Sequence, residues 1–242
     1  MPHGQPDFGM YSIAETIYRL SDMAELAVRL GSIVRHDRRG DVIWLDDFES
    51  EALKWWVYGG TSGGSFAQSG ERARSGAFSG KLVTGGTGTN YLAVQSGIFY
   101  PVMSRVGYEI SVHLHDDVGA FTHYFWSLDG THKNWFGLGW QQATRVLSVY
   151  DKTLGWTPID DDIYLWAGGH VFSTIKLVVD LATLKYVRAI INREAFDLSA
   201  YTAYQTDLPG APSLQPVAWV AARDDKTPSV YIDDAIITQN EP

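Results

Sequence analysis

Tryptophans are the most informative side chains in this sequence, because exposed indole rings can stack on the flat faces of sugars. The chain contains nine of them. Trp55 and Trp56 are adjacent, so on a β-strand one ring points inward and the other outward. Trp135 precedes Phe136, and these two rings cannot share a face either. Although most of the nine must belong to the core, we take Trp55, Trp56 and Trp135 as candidate carbohydrate-binding residues.

The sequence carries little that predicts catalysis. Hydrolysis of a glycosidic bond needs two carboxylates about 5–10 Å apart across a cleft. Of the eight glutamates, only Glu109 lies well inside a predicted strand. The His-Glu-x-x-His motif of metalloproteases is absent, and the absence of cysteine excludes thiolate catalysis, disulfides and zinc ribbons. We therefore expect that the protein is not an enzyme.

Composition limits the classes of partner. Acidic residues outnumber basic ones and give the 242-residue chain a net charge of −9, with no run of Lys or Arg. This balance argues against binding to nucleic acid or to an anionic membrane surface. No apolar stretch approaches the roughly 20 residues of a membrane helix. The first ten residues lack the basic and apolar regions of a secretory leader, so we expect no signal peptide.

Residues 46–242 have an all-β pattern. Short segments rich in β-branched and aromatic residues are separated by glycine-rich turns, with no helical periodicity between them. In Tyr108–Leu114, the residues Tyr, Ile, Val and Leu alternate with Glu, Ser and His, which is typical of a strand with one buried face. Many such strands at regular spacing predict a two-sheet antiparallel sandwich.

Residues 1–45 have a different pattern, which predicts a separate N-terminal arm. Ser12 and Glu15 have the spacing of a helix capping box, and Gly31 fits the end of a helix. Ile33–Asp47 has the pattern of a β-hairpin. The helix would present a stripe of apolar side chains as a docking or oligomerisation interface: Leu20, Met23, Leu26 and Leu30.

Three segments resemble jelly-roll carbohydrate-binding modules and related concanavalin-like sandwiches. They are the opening Asp46-Asp-Phe-Glu49, the small-residue turn and strand at residues 71–82, and the closing strand Ser229–Thr238. The resemblance implies a jelly-roll sandwich preceded by the helix and hairpin arm. It is informative about fold and much less so about function, because this sandwich supports many activities.

The same resemblance implies a metal site. In such modules a structural calcium ion often joins the opening and closing strands, and the matching positions here are Asp47, Glu49 and Asp234. Calcium takes about six to eight oxygen ligands, of which these carboxylates could supply part. Because consecutive strand residues point to opposite faces, Asp233 and Asp234 can both face one ion only where the strand bends. A structural calcium ion is the one cofactor that the sequence suggests.

Residues 6–47 resemble the leading region of uncharacterised proteins from tailed phages and prophages. This resemblance implies a non-enzymatic virion protein, a capsid-decorating or head/tail accessory subunit assembled in the host cytoplasm. The arm would dock on capsid or tail proteins or form a homo-oligomer such as a trimer, and the sandwich would project outward. Two alternatives stay open: a carbohydrate-binding protein or host-glycan adhesin, and a polysaccharide-degrading enzyme.

Overall fold

The computed structural model describes residues 39–86, 90–99 and 102–242. These residues fall into one unit, Arg39–Pro242, whose described part contains seventeen strands and no helix. In the described part of the chain, no helix is therefore long and apolar enough to cross a membrane. The predicted N-terminal helix lies outside the described residues, as do the four interface residues Leu20, Met23, Leu26 and Leu30.

The strands are numbered in chain order. The first nine are β1 (Asp41–Asp46), β2 (Trp56–Gly60), β3 (Ser65–Ser69), β4 (Ser79–Val83), β5 (Tyr91–Gln95), β6 (Ile98–Phe99), β7 (Arg105–His113), β8 (Val118–Leu128) and β9 (His132–Gln141). The other eight are β10 (Leu147–Asp151), β11 (Gly155–Asp160), β12 (Ser173–Asp180), β13 (Lys185–Ile191), β14 (Glu194–Asp197), β15 (Tyr204–Asp207), β16 (Ser213–Ala222) and β17 (Ser229–Gln239).

These strands form two antiparallel sheets. Sheet A has the order β14-β13-β12-β7-β17-β4-β3, and β1 pairs with β17. Sheet B has the order β11-β10-β9-β8-β16-β5-β2, with β15 on β9 and β6 on β16. Most central neighbours are distant in sequence, as in jelly-roll sandwiches. The predicted all-β, two-sheet antiparallel sandwich is confirmed.

Alternation along β7 shows why these segments form a sandwich. Tyr108, Ile110 and Val112 belong to the hydrophobic core between the sheets. The residues between them, Glu109 and Ser111, point to the opposite face of sheet A. The period-two pattern seen in the sequence therefore divides the strand into a core face and an outer face.

Two aromatic contacts join the sheets across the core. Tyr108 of sheet A stacks on His123 of sheet B with ring centroids 4.1 Å apart, and His123 Nε2–H donates to the Tyr108 carbonyl oxygen at 2.9 Å. Burial lowers the pKa of His123 to about 3, so the ring is neutral in the fold. Tyr186 of sheet A packs edge-on against Phe136 of sheet B. Both contacts fix how the sheets face each other.

The first described strand belongs to the sandwich. β1 pairs along β17, with Leu45 opposite Ile236 and Asp46 opposite Ala235. Residues 41–45, assigned to the arm by the sequence pattern, are therefore part of sheet A. The other half of the predicted hairpin lies outside the described residues.

Candidate functional site

The outer face of sheet B, which points away from the core, is rich in aromatic side chains. In β8, Phe121 and Phe125 point into the core, so the alternating Tyr124 and Trp126 point outward. In β9, Phe136 points inward and Trp135 outward. The pairing of Trp126 with Trp135 and of Tyr124 with Gly137 in the β8–β9 ladder brings these outward rings together.

Two adjoining compartments, together named the aromatic cleft, lie on this outer face. The first has a volume of about 410 Å³ and the second about 370 Å³, each within the range of ~300–1,000 Å³ common for small-molecule sites. The first is lined by Ala120, Thr122, Tyr124, Trp135, Gly139, Trp140, Gln141, Ser148, Trp156 and Trp219. The second is lined by Tyr58, Tyr124, Trp126, Lys133, Trp135, Tyr204 and Thr206. Tyr124 and Trp135 line both compartments.

Trp135 stands at the centre of this ring cluster. Its centroid is 4.2 Å from that of Tyr150, 5.5 Å from that of Tyr124 and 6.0 Å from that of Trp156. These rings meet edge-to-face or tilted, the arrangements that the aromatic quadrupole favours. Each ring thus restricts its neighbours, so the cleft is preorganised.

Glycines form part of the floor of the cleft. A Cβ atom on Gly139 would lie 2.8 Å from Cζ3 of Trp156, well inside van der Waals contact. On Gly137 it would lie 3.3 Å from Cβ of Tyr124 and 3.4 Å from Nε1 of Trp135. The absence of side chains at these two positions lets the large rings approach the backbone of β9.

Tyr186 shapes the cleft from the opposite sheet. The ladder between β9 and β10 ends at the Val149–Leu138 pair. Beyond it, the Tyr186 hydroxyl accepts the backbone N–H of Gly137 at 2.8 Å and donates to the Tyr150 carbonyl at 2.7 Å. The phenol therefore bridges the two strands where direct pairing stops, directly beneath Trp135 and Tyr150.

The turn between β8 and β9 positions the charged residue of the cleft. Asp129 Oδ1 accepts the backbone N–H groups of Thr131 at 2.9 Å and His132 at 2.7 Å. Burial raises the pKa of Asp129, but these hydrogen bonds outweigh it and hold the pKa well below its usual range. The anchored turn leads directly into Lys133, whose ammonium lies 3.1 Å from the ring centroid of Trp126.

The three tryptophans predicted from the sequence occupy three different environments. Trp55 is 4% exposed in the core, where its indole N–H donates to Asp46 Oδ2 at 2.9 Å. Trp56 is 49% exposed on sheet B but lines neither compartment. Trp135 lies at the centre of the cleft. The adjacent pair points in opposite directions, as its spacing predicted, and only Trp135 joins the aromatic cluster.

The candidate calcium ligands are engaged in separate hydrogen bonds. Asp47 Oδ1 accepts the backbone N–H of Glu49 at 3.2 Å. Glu49 Oε1 accepts the N–H groups of Ala77 and Phe78, both at 2.8 Å. Asp234 bonds elsewhere, to residues that follow β3.

Asp233 and Asp234 lie at a bulge in β17, where Asp234 has a positive φ of 49°. The bend turns both carboxylates toward Arg74 and Ser75. Arg74 Nη1 donates to Asp234 Oδ2 at 2.7 Å, and the Arg74 backbone N–H donates to Asp233 Oδ2 at 2.7 Å. Burial, then the Asp234 charge, raises the pKa of Asp233 to about 7 despite these donors. The Arg74 guanidinium places a positive charge beside this pair of carboxylates.

The described residues contain no group of three His, Asp or Glu side chains that could hold a metal ion. Calcium binding by Asp47, Glu49 and Asp234 stays a prediction, and the observed hydrogen bonds do not favour it.

Several cleft residues escaped the sequence analysis. Tyr58, Tyr124 and Tyr204 are not among the predicted candidates, although Tyr124 and Trp126 are two residues apart and so share a strand face. Lys133 and Trp135 have the same spacing. The signal that could have found Tyr124 is the outward half of the β8 and β9 alternation, which is aromatic where a solvent-exposed face is normally polar; Tyr58 and Tyr204 lie on β2 and β15, outside that signal.

No protein-family model and no curated protein matches the sequence. Among solved structures, the chain is similar to an endo-β-1,4-glucuronan lyase from the fungus Trichoderma reesei, with a TM-score of 0.54 and 11% identity over 82% of this chain and 96% of that one. Alginate lyase vAL-1 from Chlorella virus gives a TM-score of 0.53 and 11% identity over 82% and 100%. A Bacillus licheniformis β-glucanase gives 0.50 and 12% over 83% and 99%. At such identities the similarity shows the fold.

These matches correct one expectation and leave another without support. The expectation that the protein is not an enzyme is contradicted, because the solved structures with this fold include two polysaccharide lyases and a glucanase. The missing motifs belong to other enzyme classes, so their absence did not exclude catalysis on this sandwich. Nothing in the matches supports a phage origin or a virion role.

Proposed function

We propose that the aromatic cleft on sheet B binds a polysaccharide. The observation that carries this proposal is the clustering of outward rings around Trp135 on a sheet face. The two compartments have ten and seven lining residues, share two of them, and so have fifteen in all, of which eight are aromatic. Of these eight, Trp140 belongs to the core between the sheets, and the other seven rings lie outside that core and are not needed to fill it.

The polar groups of the lining suit the same ligand class. Sugars offer C–H faces to aromatic rings and hydroxyl groups to hydrogen-bonding side chains, so a sugar site combines rings with a few polar groups. The first compartment supplies Thr122, Gln141 and Ser148, and the second supplies Thr206. The two compartments meet at Trp135, so one chain of several sugar units could occupy both.

The named activities of the similar structures support a polysaccharide as the ligand. Those proteins are a glucuronan lyase, an alginate lyase and a β-glucanase. Whether this cleft also cleaves its ligand is decided by assaying turnover on the polymers that it binds. Assembly into a homo-oligomer, attachment to a virion and location in a virion stay predictions from the sequence.

The test compares two tryptophan variants on a panel of soluble polysaccharides by affinity electrophoresis. Trp135→Ala should abolish retardation, because it removes the central ring of the cluster, which lines both compartments. Trp56→Ala is the matched control, since that ring is exposed on the same sheet outside the cleft. The absence of any bound polymer, or equal binding by wild type and Trp135→Ala, would refute the proposal. Reducing ends and unsaturated products measured on the same polymers report turnover.

A further inference from the structure

The aromatic cleft contains one charged side chain among its described lining residues, and that charge is positive. It belongs to Lys133 in the second compartment, between Trp126 and Thr206. The other described lining residues are aromatic, small or neutral polar. The whole chain has a net charge of −9, whereas the described lining of the cleft carries a single positive charge.

Lys133 is half-buried, and no acidic side chain of the described residues pairs with it to compensate its charge. In the described part of the chain it forms no ion pair, and its ammonium contacts the face of Trp126 at 3.1 Å from the ring centroid. Burial lowers the pKa of Lys133, and neither a hydrogen bond nor a neighbouring charge opposes that shift. Lys133 is only half-buried, but among the described residues no acidic side chain pairs with it, so its ammonium is available to an anion from outside the chain.

The turn before Lys133 makes this arrangement specific. Two acidic residues near this turn face His132 instead: Asp129 binds the turn and His132, and Asp207, which pairs with His132 across the β15–β9 ladder, lies 3.7 Å from that ring. Strand alternation directs His132 and Lys133 to opposite faces of β9. The two carboxylates therefore lie near the His132 imidazole on one face of β9, and the Lys133 ammonium lies in the cleft on the other face.

We propose that the cleft selects acidic polysaccharides, with the Lys133 ammonium pairing with an anionic group on the sugar. This inference rests on the proposed polysaccharide-binding function and specifies its ligand class. An acidic polymer is repelled by the net negative charge of the protein, so its capture requires a local positive site. The ring of Trp126 holds the ammonium in place, and a sugar stacked in the cleft could present a carboxylate or a sulfate to it.

The experiment uses the full chain and two matched pairs of polymers. The first pair is polyglucuronate and the same polymer after chemical reduction of its carboxyl groups, which keeps the linkage and removes the charge. The second pair is dextran sulfate and dextran, which separates sulfate from carboxylate as the anion. Affinities are measured by titration calorimetry at low and high salt for wild type, Lys133→Met, Lys133→Arg and the control Lys185→Met, an exposed lysine on β13 of sheet A.

Wild type should bind an acidic polymer about tenfold more tightly than its neutral partner, as one charge-assisted hydrogen bond provides. Lys133→Met keeps the aliphatic stem over Trp126 and should remove that preference, whereas Lys133→Arg should retain it and Lys185→Met should behave as wild type. High salt should reduce the preference.

Four results would overturn the inference. Equal binding of acidic and neutral polymers by wild type, or an unchanged preference in Lys133→Met, would show that Lys133 only covers Trp126, and the proposed polysaccharide-binding function would stand. A preference lost equally in Lys185→Met would assign the effect to overall charge. Failure of wild type to bind any polymer would refute the proposed function and this inference together.

Discussion

Replacing Gly139 with alanine should disable the cleft without unfolding the protein. The new Cβ would lie 2.8 Å from Cζ3 and 3.0 Å from Cη2 of Trp156, whereas ordinary contacts are 3.4–4 Å. The indole must therefore retreat by about 1 Å to regain an optimal separation. Because Trp156 lies only 6.0 Å from Trp135 between ring centroids, its movement alters the central stack of the cleft.

The cost to folding should be small for a physical reason. Trp156 is 43% exposed, so its ring can move toward solvent instead of compressing the core. Replacing a strand glycine by alanine also reduces the entropy of the unfolded chain, which offsets about 0.4–1 kcal/mol. We expect the free energy of unfolding to change by less than about 1 kcal/mol, and polysaccharide affinity to fall by roughly 5- to 30-fold.

The displacement can be measured without a ligand. The nine tryptophans give nine indole N–H signals in a ¹H–¹⁵N spectrum, and Trp156→Phe assigns the one that belongs to Trp156. In Gly139→Ala the signals of Trp156 and Trp135 should shift, while that of the core residue Trp55 should not. Urea denaturation gives the stability, and affinity electrophoresis gives the binding.

Gly59→Ala is the matched control. Its Cβ would lie no closer than 3.8 Å to any heavy atom beyond its chain neighbours, so the added methyl fits on the same sheet. This variant should bind as wild type. Normal polysaccharide binding by Gly139→Ala with a displaced Trp156 signal would show that the cleft is not the binding surface. An undisturbed Trp156 signal would refute the packing argument itself.

Three further changes test the stability of the sandwich. Glu241→Gln removes the carboxylate that lies 2.7 Å from Lys176 in a buried ion pair, and urea denaturation should show a loss of about 3 kcal/mol. Folding raises the pKa of Asp233 from 3.8 to about 7, so its contribution to the free energy of unfolding is favourable below pH 4 and is lost as the pH rises through about 7. Relative to Asp233→Asn, wild type should therefore lose on the order of 4 kcal/mol of unfolding free energy between pH 4 and 8. Trp55→Phe deletes the indole hydrogen bond to a buried carboxylate and should cost about 2 kcal/mol by thermal or urea unfolding, whereas an unchanged stability would contradict the buried position of that ring.

The sandwich could be predicted from the sequence because strand alternation is a local signal. Tyr108, Ile110 and Val112 fall into the core as their spacing indicated. The pairing of β1 with β17 could not be predicted, because residues 41–46 are nearly 200 positions from their partners. The sequence pattern favoured a local hairpin for that strand, and the other half of that hairpin lies outside the described residues.

The site was only partly predictable, since a strand pattern gives two faces without saying which face meets the second sheet. For the pair Trp55 and Trp56 the sequence predicted opposite orientations but not which ring is buried. Trp135 was identified, whereas Lys133 was not, because a lone lysine on a strand resembles any solvated residue. The role proposed for Lys133 depends on the absence of an acidic partner close to it in space, and only the three-dimensional arrangement of the described residues shows that absence.

The hydroxyl of Tyr186, a residue of sheet A, influences the aromatic cleft, which lies on the outer face of sheet B. Because this hydroxyl holds β9 and β10 at a fixed separation beneath Trp135, the width of the aromatic cleft depends on a residue in the core. If the cleft binds a polysaccharide as proposed, substitutions at this buried position should change its selectivity while leaving every lining residue intact. A wider cleft could therefore be engineered from the interior of the molecule, at Tyr186, and not at the residues that line the cleft.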